Sequence, residues 1–362
     1  MRRTSALIVG GGPAGSAAGI MLGRAGVAAE LIERTTGPRD VVCGGFVGWD
    51  ALMVLDRLGV DAWHLGARPI ERLRLVSAQR TIEARLPRRA GGLSRRTLDE
   101  ALIGAAARAG AVLRRGNSVR AADSCRSIRL DSGEEVEADA LFLATGKHDL
   151  RGLARSREVI GADPVVGFRT ALVATAALAE PLDRVIELHL FEGGYAGLLL
   201  QDDARANLCL SVARERLNRA GGIEGLVTEL ADELPVFGQR LNGSAAGSWE
   251  AVAGVPYGWR ALRTEPGLFR LGDQAAVIAS LAGDGIAIAL TSGVEAAAAF
   301  LARGAEGAQP FQTGFAQRGR RPLAIASALR RAAENNTMRR PLLGLLAMAP
   351  SLAPLAARLT RL

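Results

Sequence analysis

The stretch Val9-Gly10-Gly11-Gly12-Pro13-Ala14-Gly15 decides the fold, because it follows the apolar run Ala6-Leu7-Ile8-Val9 without a break. The run predicts a buried strand, and the glycines fit G-x-G-x-x-G at Gly10, Gly12 and Gly15. Gly10 allows a tight turn, Gly12 has no Cβ to block a pyrophosphate, and Gly15 lets the following helix lie close to the strand. That helix is predicted over about Ala14 to Ala25, with free N–H groups and the positive end of its dipole offered to phosphates. Gly26 ends it, and Ala28 to Ile32 reads as a second strand. Glu33 follows, 18 residues after Gly15. A carboxylate there accepts hydrogen bonds from ribose hydroxyls and repels a 2′-phosphate, so the unit suits FAD or NAD rather than NADP. Gly10, Gly12, Pro13, Ala14, Gly15, Glu33 and Arg34 are the candidate contacts.

A second glycine-rich region lies about 260 residues further on: Leu271-Gly272-Asp273-Gln274, then Ala282-Gly283-Asp284-Gly285-Ile286. In this order the two regions outline a chain wrapped around FAD, one holding the pyrophosphate and the other the ribityl chain and flavin ring. Gly272, Asp273, Gly283, Gly285 and Ile286 therefore join the candidate cofactor contacts. A helix is predicted from about Gly285 to Ala302.

With 362 residues the chain can bury a large core, and 49% hydrophobic residues make it globular. Met1-Arg2-Arg3 runs straight into the first strand, with no secretory signal, so a cytoplasmic protein is expected. Cys43, Cys125 and Cys209 show no CxxC spacing, and His64, His148 and His189 are scattered, so no metal is expected. The net charge of +8 comes from arginines spread along the chain, with aromatics at only 4%, which argues against a nucleic-acid partner. Of the 45 basic residues one is a lysine, Lys147. It follows the apolar run Leu141 to Ala144 and the pair Thr145-Gly146, where dinucleotide folds place ligand contacts. Gly146 is taken as a cofactor contact, and Lys147 as a flavin or substrate contact.

The pattern predicts an α/β chain: a Rossmann-type FAD-binding domain interleaved with a β-rich substrate domain, and a helical C-terminal tail. The first is assigned residues 1–70, 90–158 and 260–305, the second 71–89 and 159–259, the tail 306–362. Strands are expected at Arg72 to Val76, Thr81 to Leu86, Ala111 to Arg114, Ser127 to Leu130 and Ala138 to Ala144. More follow at Val165 to Val173, Arg184 to Phe191, Ala196 to Leu200, Asn207 to Val212 and Leu268 to Leu271. Helices are expected at Asp50 to Leu58, Arg96 to Gly110 and Ile223 to Leu234. The tail is apolar with Arg358 and Arg361, and Pro350 and Pro354 make it a poor spanning helix. Packing over a substrate cavity is expected of it, with peripheral membrane contact as the alternative, and Arg330, Arg331 and Arg339 are candidates to meet a polar head group.

Together these motifs resemble the FAD-dependent oxidoreductase superfamily of aromatic hydroxylases, flavin halogenases and geranylgeranyl reductases, over most of residues 1–300. The resemblance implies that Asp273 binds the ribityl hydroxyls and that amides near Gly283 to Ile286 face the flavin pyrimidine edge. A helix N-terminus there would stabilise negative charge on reduced flavin. Arg95, four residues before Asp99, matches an arginine placed near the FAD phosphates or ribityl chain. Cys43-Gly44-Gly45, Gly283-Asp284-Gly285-Ile286 with Ser292-Gly293, and Gly193-Gly194-Tyr195 resemble the geranylgeranyl reductase branch most. Cys43 and Gly44 are accordingly cofactor contacts, and Cys43, Lys147 and Tyr195 the candidate catalytic residues. After Tyr195 the reductases continue with an aromatic residue and Phe-Pro, where this chain has Gly197 and Leu198 to Leu200. The hydroxylase Gly-Asp-Ala-Ala-His is here Gly272-Asp273-Gln274-Ala275-Ala276. Trp-x-Trp-x-Ile-Pro of the halogenases is missing.

What the resemblance implies is an FAD-dependent oxidoreductase, driven by transiently bound NADPH or NADH, acting on a hydrophobic small molecule. Hydroxylation of a phenolic, polyketide or lipid-like substrate is placed first, since the reductase substrate motif is altered. Saturation of C=C bonds in a prenyl lipid is the alternative, and a non-catalytic flavin- or lipid-binding protein a further one.

Overall fold

The computed structural model describes residues 2–124, 126–155, 165–244 and 246–362. Cys125 and the expected domain limit at 158/159 lie outside the described residues. The chain opens with β1 (Arg2–Val9), α1 (Pro13–Arg24) and β2 (Ala29–Glu33), followed by β3 (Phe46–Val47) and α2 (Trp49–Arg57). The pair β4 (Arg68–Val76) and β5 (Thr81–Gly92) leads to α3 (Arg95–Arg108), β6 (Val112–Arg115), β7 (Val119–Ser124), β8 (Ser127–Leu130) and β9 (Glu135–Leu143). Next come β10 (Val165–Val173), α4 (Ala176–Leu182), β11 (Val185–Phe191), β12 (Gly194–Leu200) and β13 (Arg205–Ala213). Three helices, α5 (Arg214–Arg219), α6 (Ile223–Glu233) and α7 (Pro235–Leu241), precede β14 (Glu250–Ala253) and β15 (Leu268–Arg270). The chain ends in helices: α8 (Gly285–Arg303), α9 (Ala308–Glu334), α10 (Asn336–Met348) and α11 (Leu352–Leu359).

Two sheets organise these elements. The first runs β6-β2-β1-β9-β8-β7, with β15 also on β9. Its parallel pairs β1–β2, β1–β9 and β9–β15 set the ends of β1 and β9 beside each other, Val9 opposite Leu143. Ala6, Leu7, Ile8, Leu141, Phe142 and Leu143 are fully buried, as expected of strands covered on both faces. The second sheet runs β14-β10-β13-β12-β11-β4-β5-β3. β3 and the end of β5 fall within the segments assigned by sequence to the first domain, yet they belong to this sheet, since Phe46 pairs with Gly92. The fold is thus an α/β Rossmann-type unit interleaved with a β-rich one, with a helical tail.

Close backbone approaches explain the first unit. Gly10 has φ +106°, and a Cβ there would lie 2.4 Å from the Ala144 carbonyl oxygen. A Cβ on Gly15 would lie 2.0 Å from the Gly10 carbonyl oxygen, so α1 can sit against β1 only with glycine at that place. On the outer side of α1, a Cβ on Gly293 would lie 2.2 Å from the Ala14 carbonyl oxygen, which lets α8 pack directly on α1. The few aromatics concentrate where β9, β15, α8 and α9 meet. Phe142 stacks on Phe269 at 4.8 Å between centroids, Phe300 meets both edge-on, and Phe311 and Phe315 extend the group. Each buried Phe contributes about 1.5–3 kcal/mol, so this cluster fixes β15 and with it the Gly272-Asp273 turn.

Candidate functional site

Two connected cavities run along the seam between the sheets. The outer one, about 570 Å³, is lined by Gly10 to Gly12, Glu33, Arg34, Asp99 and Thr145 to Asp149 among others. The inner one, about 210 Å³, is lined by apolar residues of the second sheet, including Ile186, Leu188, Leu199 and Leu210. Gly12, Val42, Arg95, Ala144, Gly146, Lys147 and Asp273 line both, so they form the passage between them.

The outer cavity is built for a dinucleotide. Gly12 is the N-cap of α1 and no side chain caps the helix, so its first N–H groups face the cleft. A Cβ on Gly12 would meet only one Arg95 guanidinium nitrogen, at 3.5 Å. Glu33 is held rigidly: its Oε2 accepts from the Gly11 amide at 2.8 Å, and its Oε1 accepts from the Thr35 amide and hydroxyl at 2.8 Å each. Arg34 is exposed at the rim. His148 is held below its ordinary pKa, first by burial and then by the nearby cations Arg34, Arg39, Lys147 and Arg155.

Arg95, the first residue of α3, and Asp99, one turn further on, form a bidentate pair at 2.7 and 2.6 Å. Burial opposes the Arg95 charge, but Asp99 outweighs it and raises its pKa. Asp99 is raised by burial, only partly offset by Arg95. The pair therefore orients a guanidinium beside Gly12 and the Cys43 sulfur.

The second glycine region meets the first here. The Gly272 amide donates to Ser292 Oγ at 2.8 Å, and Ser292 donates to the Ala289 carbonyl at 2.8 Å, tying the turn to α8. Gln274, which sequence reasoning passed over as a departure from the hydroxylase motif, donates to the Gly146 and His148 carbonyls at 2.9 and 3.1 Å. It locks the Asp273 turn to the loop after β9. The Asp273 carbonyl accepts from Arg155 at 3.1 Å. Gly283 has φ +70° against the Phe46 ring, and Gly285 and Ile286 start α8 at the edge of the inner cavity. Asp284 is buried; burial, with Asp50, pushes its carboxyl up to about 6, and Arg361, which donates to it, limits the rise.

The loop carrying Cys43 and Gly44 is held by the second sheet. Asn207 donates to the Cys43 and Gly44 carbonyls at 3.1 and 3.0 Å, and Arg169 joins Asn207 at 2.8 Å to Asp40 at 3.1 Å. Lys147, expected at a flavin or substrate contact, spends its ammonium on the Val42 carbonyl at 2.8 Å. It lines the passage but braces this loop. Cys43 and Cys209 both line the inner cavity; burial, and then Cys43, push the Cys209 thiol up to about 12. The structure brings Tyr195 to the same cavity together with Tyr257, a residue sequence reasoning missed. These are the only two tyrosines of the chain, and both hydroxyls meet Ser280 Oγ, that of Tyr257 at 2.6 Å. Arg330, Arg331 and Arg339 do not converge on a head group: Arg330 pairs with Glu334 and lies over the Tyr257 ring, Arg331 is exposed, and Arg339 is buried on the Ala333 carbonyl.

A glycine-cradled helix N-terminus, an acid at the end of β2 and a Gly-Asp turn facing one continuous cleft define an FAD-binding fold. The chain belongs to the FAD binding domain family, which it matches over residues 3–189, and it is an FAD-dependent oxidoreductase. It is 26% identical over 322 residues to menaquinone reductase of Mycolicibacterium smegmatis, covering 80% of this chain and 75% of that protein. In fold it resembles a geranylgeranyl bacteriochlorophyll reductase-like protein from Thermoplasma acidophilum, with a TM-score of 0.76, 18% identity, and 92% and 88% of the two chains covered. It also resembles a flavin-dependent brominase, with a TM-score of 0.79, 15% identity, and 99% and 93% covered.

The residues present fit FAD: the cleft holds an open cradle at Gly12, with Arg34, Arg39 and Arg95 among its lining. Asp273→Ala is expected to weaken FAD binding by about 1.5–3 kcal/mol, the range for charge-assisted hydrogen bonds. Fluorescence titration of the apoprotein with FAD measures it, and an unchanged Kd would remove Asp273 from the site.

Proposed function

We propose that the protein reduces a C=C bond in a long apolar, prenyl-type small molecule, with NADPH or NADH as the transient electron donor. The observation that carries this is the Tyr195–Ser280–Tyr257 hydroxyl chain at an apolar cavity joined to the FAD cleft. Bound FAD, once reduced, would supply the hydride. The chain's own residues must supply the proton and exclude water. Burial raises Tyr195 well above the usual phenol pKa, so its hydroxyl carries its proton before the reaction begins. Ser280 and the half-buried Tyr257 link it towards solvent, so the proton it gives up can be replaced. Ile186, Leu188, Leu199 and Leu281 offer apolar contact to an alkyl chain, each buried methylene contributing about 0.8 kcal/mol.

The similarity to menaquinone reductase supports reduction over hydroxylation. Hydroxylation is the second reading. It is favoured by Gly197, which lines the cavity and leaves room for a ring where the reductase branch places a bulkier motif. Tyr195→Phe should retain FAD and lower kcat by about a hundredfold or more, while Tyr257→Phe costs less, as steady-state turnover with prenylated quinones would show. Unchanged turnover in Tyr195→Phe would refute the proton-donor role.

A further inference from the structure

We propose that the outer face of α10 and α11 docks on an anionic lipid bilayer. The inner face of these helices is accounted for. Leu343, Leu346 and Ala353 are buried against Ile82 and Ala84 of β5, Leu188 and Leu190 of β11, and Tyr195 of β12. Leu188 and Tyr195 also line the inner cavity, so the two helices form its roof. Arg361 anchors the roof: it donates to Asp284 at the start of α8 and lies 4.3 Å over the Trp49 ring.

The outer face is apolar as well. Met338, Leu345 and Met348 are 51%, 53% and 87% exposed, and their spacing of seven and three puts them in one stripe on α10. Leu355, Leu359 and Leu362, on and after α11, are also exposed, at 49%, 50% and 38%. A helix pair that is apolar on both sides packs one side on protein and needs a non-aqueous medium on the other. The charge identifies that medium. After Glu334 the sequence has four arginines and no acidic residue. Arg340 and Arg358 are exposed on the same two helices, and the exposed Arg80 lies next to Gly344 on α10. Exposed guanidiniums accompanying an apolar stripe match anionic head groups over an acyl layer. The two helices meet at a bend of 116°, a shape that lies on a surface and does not cross it. The roof of the cavity thereby faces the lipid. This inference does not depend on which reaction the site performs.

The test is co-sedimentation of the full FAD-loaded chain with vesicles of phosphatidylglycerol and phosphatidylcholine, against phosphatidylcholine alone. Binding to the anionic vesicles is expected, falling in high salt. The double substitution Leu345→Glu/Met348→Glu should reduce it by about tenfold or more with FAD retained. Arg340→Gln/Arg358→Gln should remove the preference for anionic lipid and leave the fold intact. Failure of the native chain to sediment with anionic vesicles would overturn the proposal. So would elution as a dimer that Met348→Glu dissociates, which would assign the face to a second copy of the chain.

Discussion

Gly12→Val is expected to give a folded protein that carries no FAD. Gly12 has φ −70°, a value any residue adopts, and its Cβ position is open apart from one mobile guanidinium at 3.5 Å. The side chain would instead fill the space where the pyrophosphate approaches the α1 N-terminus. A loss of at least about a thousandfold in affinity, roughly 4 kcal/mol, should follow, with a circular dichroism spectrum like that of the native apoprotein. Gly15→Val should behave differently. Its Cβ would lie 2.0 Å from the Gly10 carbonyl oxygen, so the strand and helix must separate and the protein should be destabilised. Equal FAD affinity in Gly12→Val and the native chain would place the cofactor elsewhere.

Glu187→Ala is expected to be the most destabilising single change outside the glycine turns. Glu187 and His189 are fully buried on β11. Glu187 accepts from Arg74 at 2.8 Å, from Arg240 of α7 at 3.0 and 3.1 Å, and meets His189 Nε2 at 2.8 Å. Burial alone would raise its pKa, but His189, Arg240 and Arg74 outweigh that and hold it at about 2, below the ordinary 4.5. Removing the carboxylate leaves two guanidiniums facing each other and costs about 3–5 kcal/mol. The pH dependence has a defined sign. The folded pKa is depressed, so the stabilisation is fully present above about 4.5 and is lost as pH falls from there towards 2. It amounts to about 3 kcal/mol. Urea denaturation between neutral pH and pH 3 should show a steeper acid loss for the native chain than for Glu187→Ala. Parallel curves would contradict the assignment.

The first unit was legible because its constraints are local. A strand, a turn that tolerates only glycine at Gly10 and a helix that must touch the strand at Gly15 leave a mark within seven residues. Asp273 could be named through the family resemblance. Gln274 could not, because its partners Gly146 and His148 lie more than a hundred residues away and an amide has no spacing signature. The same holds for Tyr257, which reaches Tyr195 only through Ser280. Lys147 stands out by its rarity, yet a single cation at a loop says nothing of whether it meets a ligand or a backbone carbonyl. The Glu187–His189 pair alternates with Ile186 and Leu188, which reads as a strand with one wet face. That face is dry because α7 covers it, and α7 was not foreseen: it spans only seven residues, begins at Pro235 and contains Gly238.

One measurement tests the central claim most directly: reduce the bound flavin with one equivalent of dithionite under strict exclusion of oxygen, add a prenylated quinone, and follow visible absorbance and product mass. The expected result is reoxidation of the flavin without oxygen, at a rate that depends on Tyr195, and a product whose two added hydrogens lie in the prenyl chain and persist after its ring is reoxidised to the quinone. A flavin that stays reduced until oxygen is admitted, with a product that gains an oxygen atom, would contradict it.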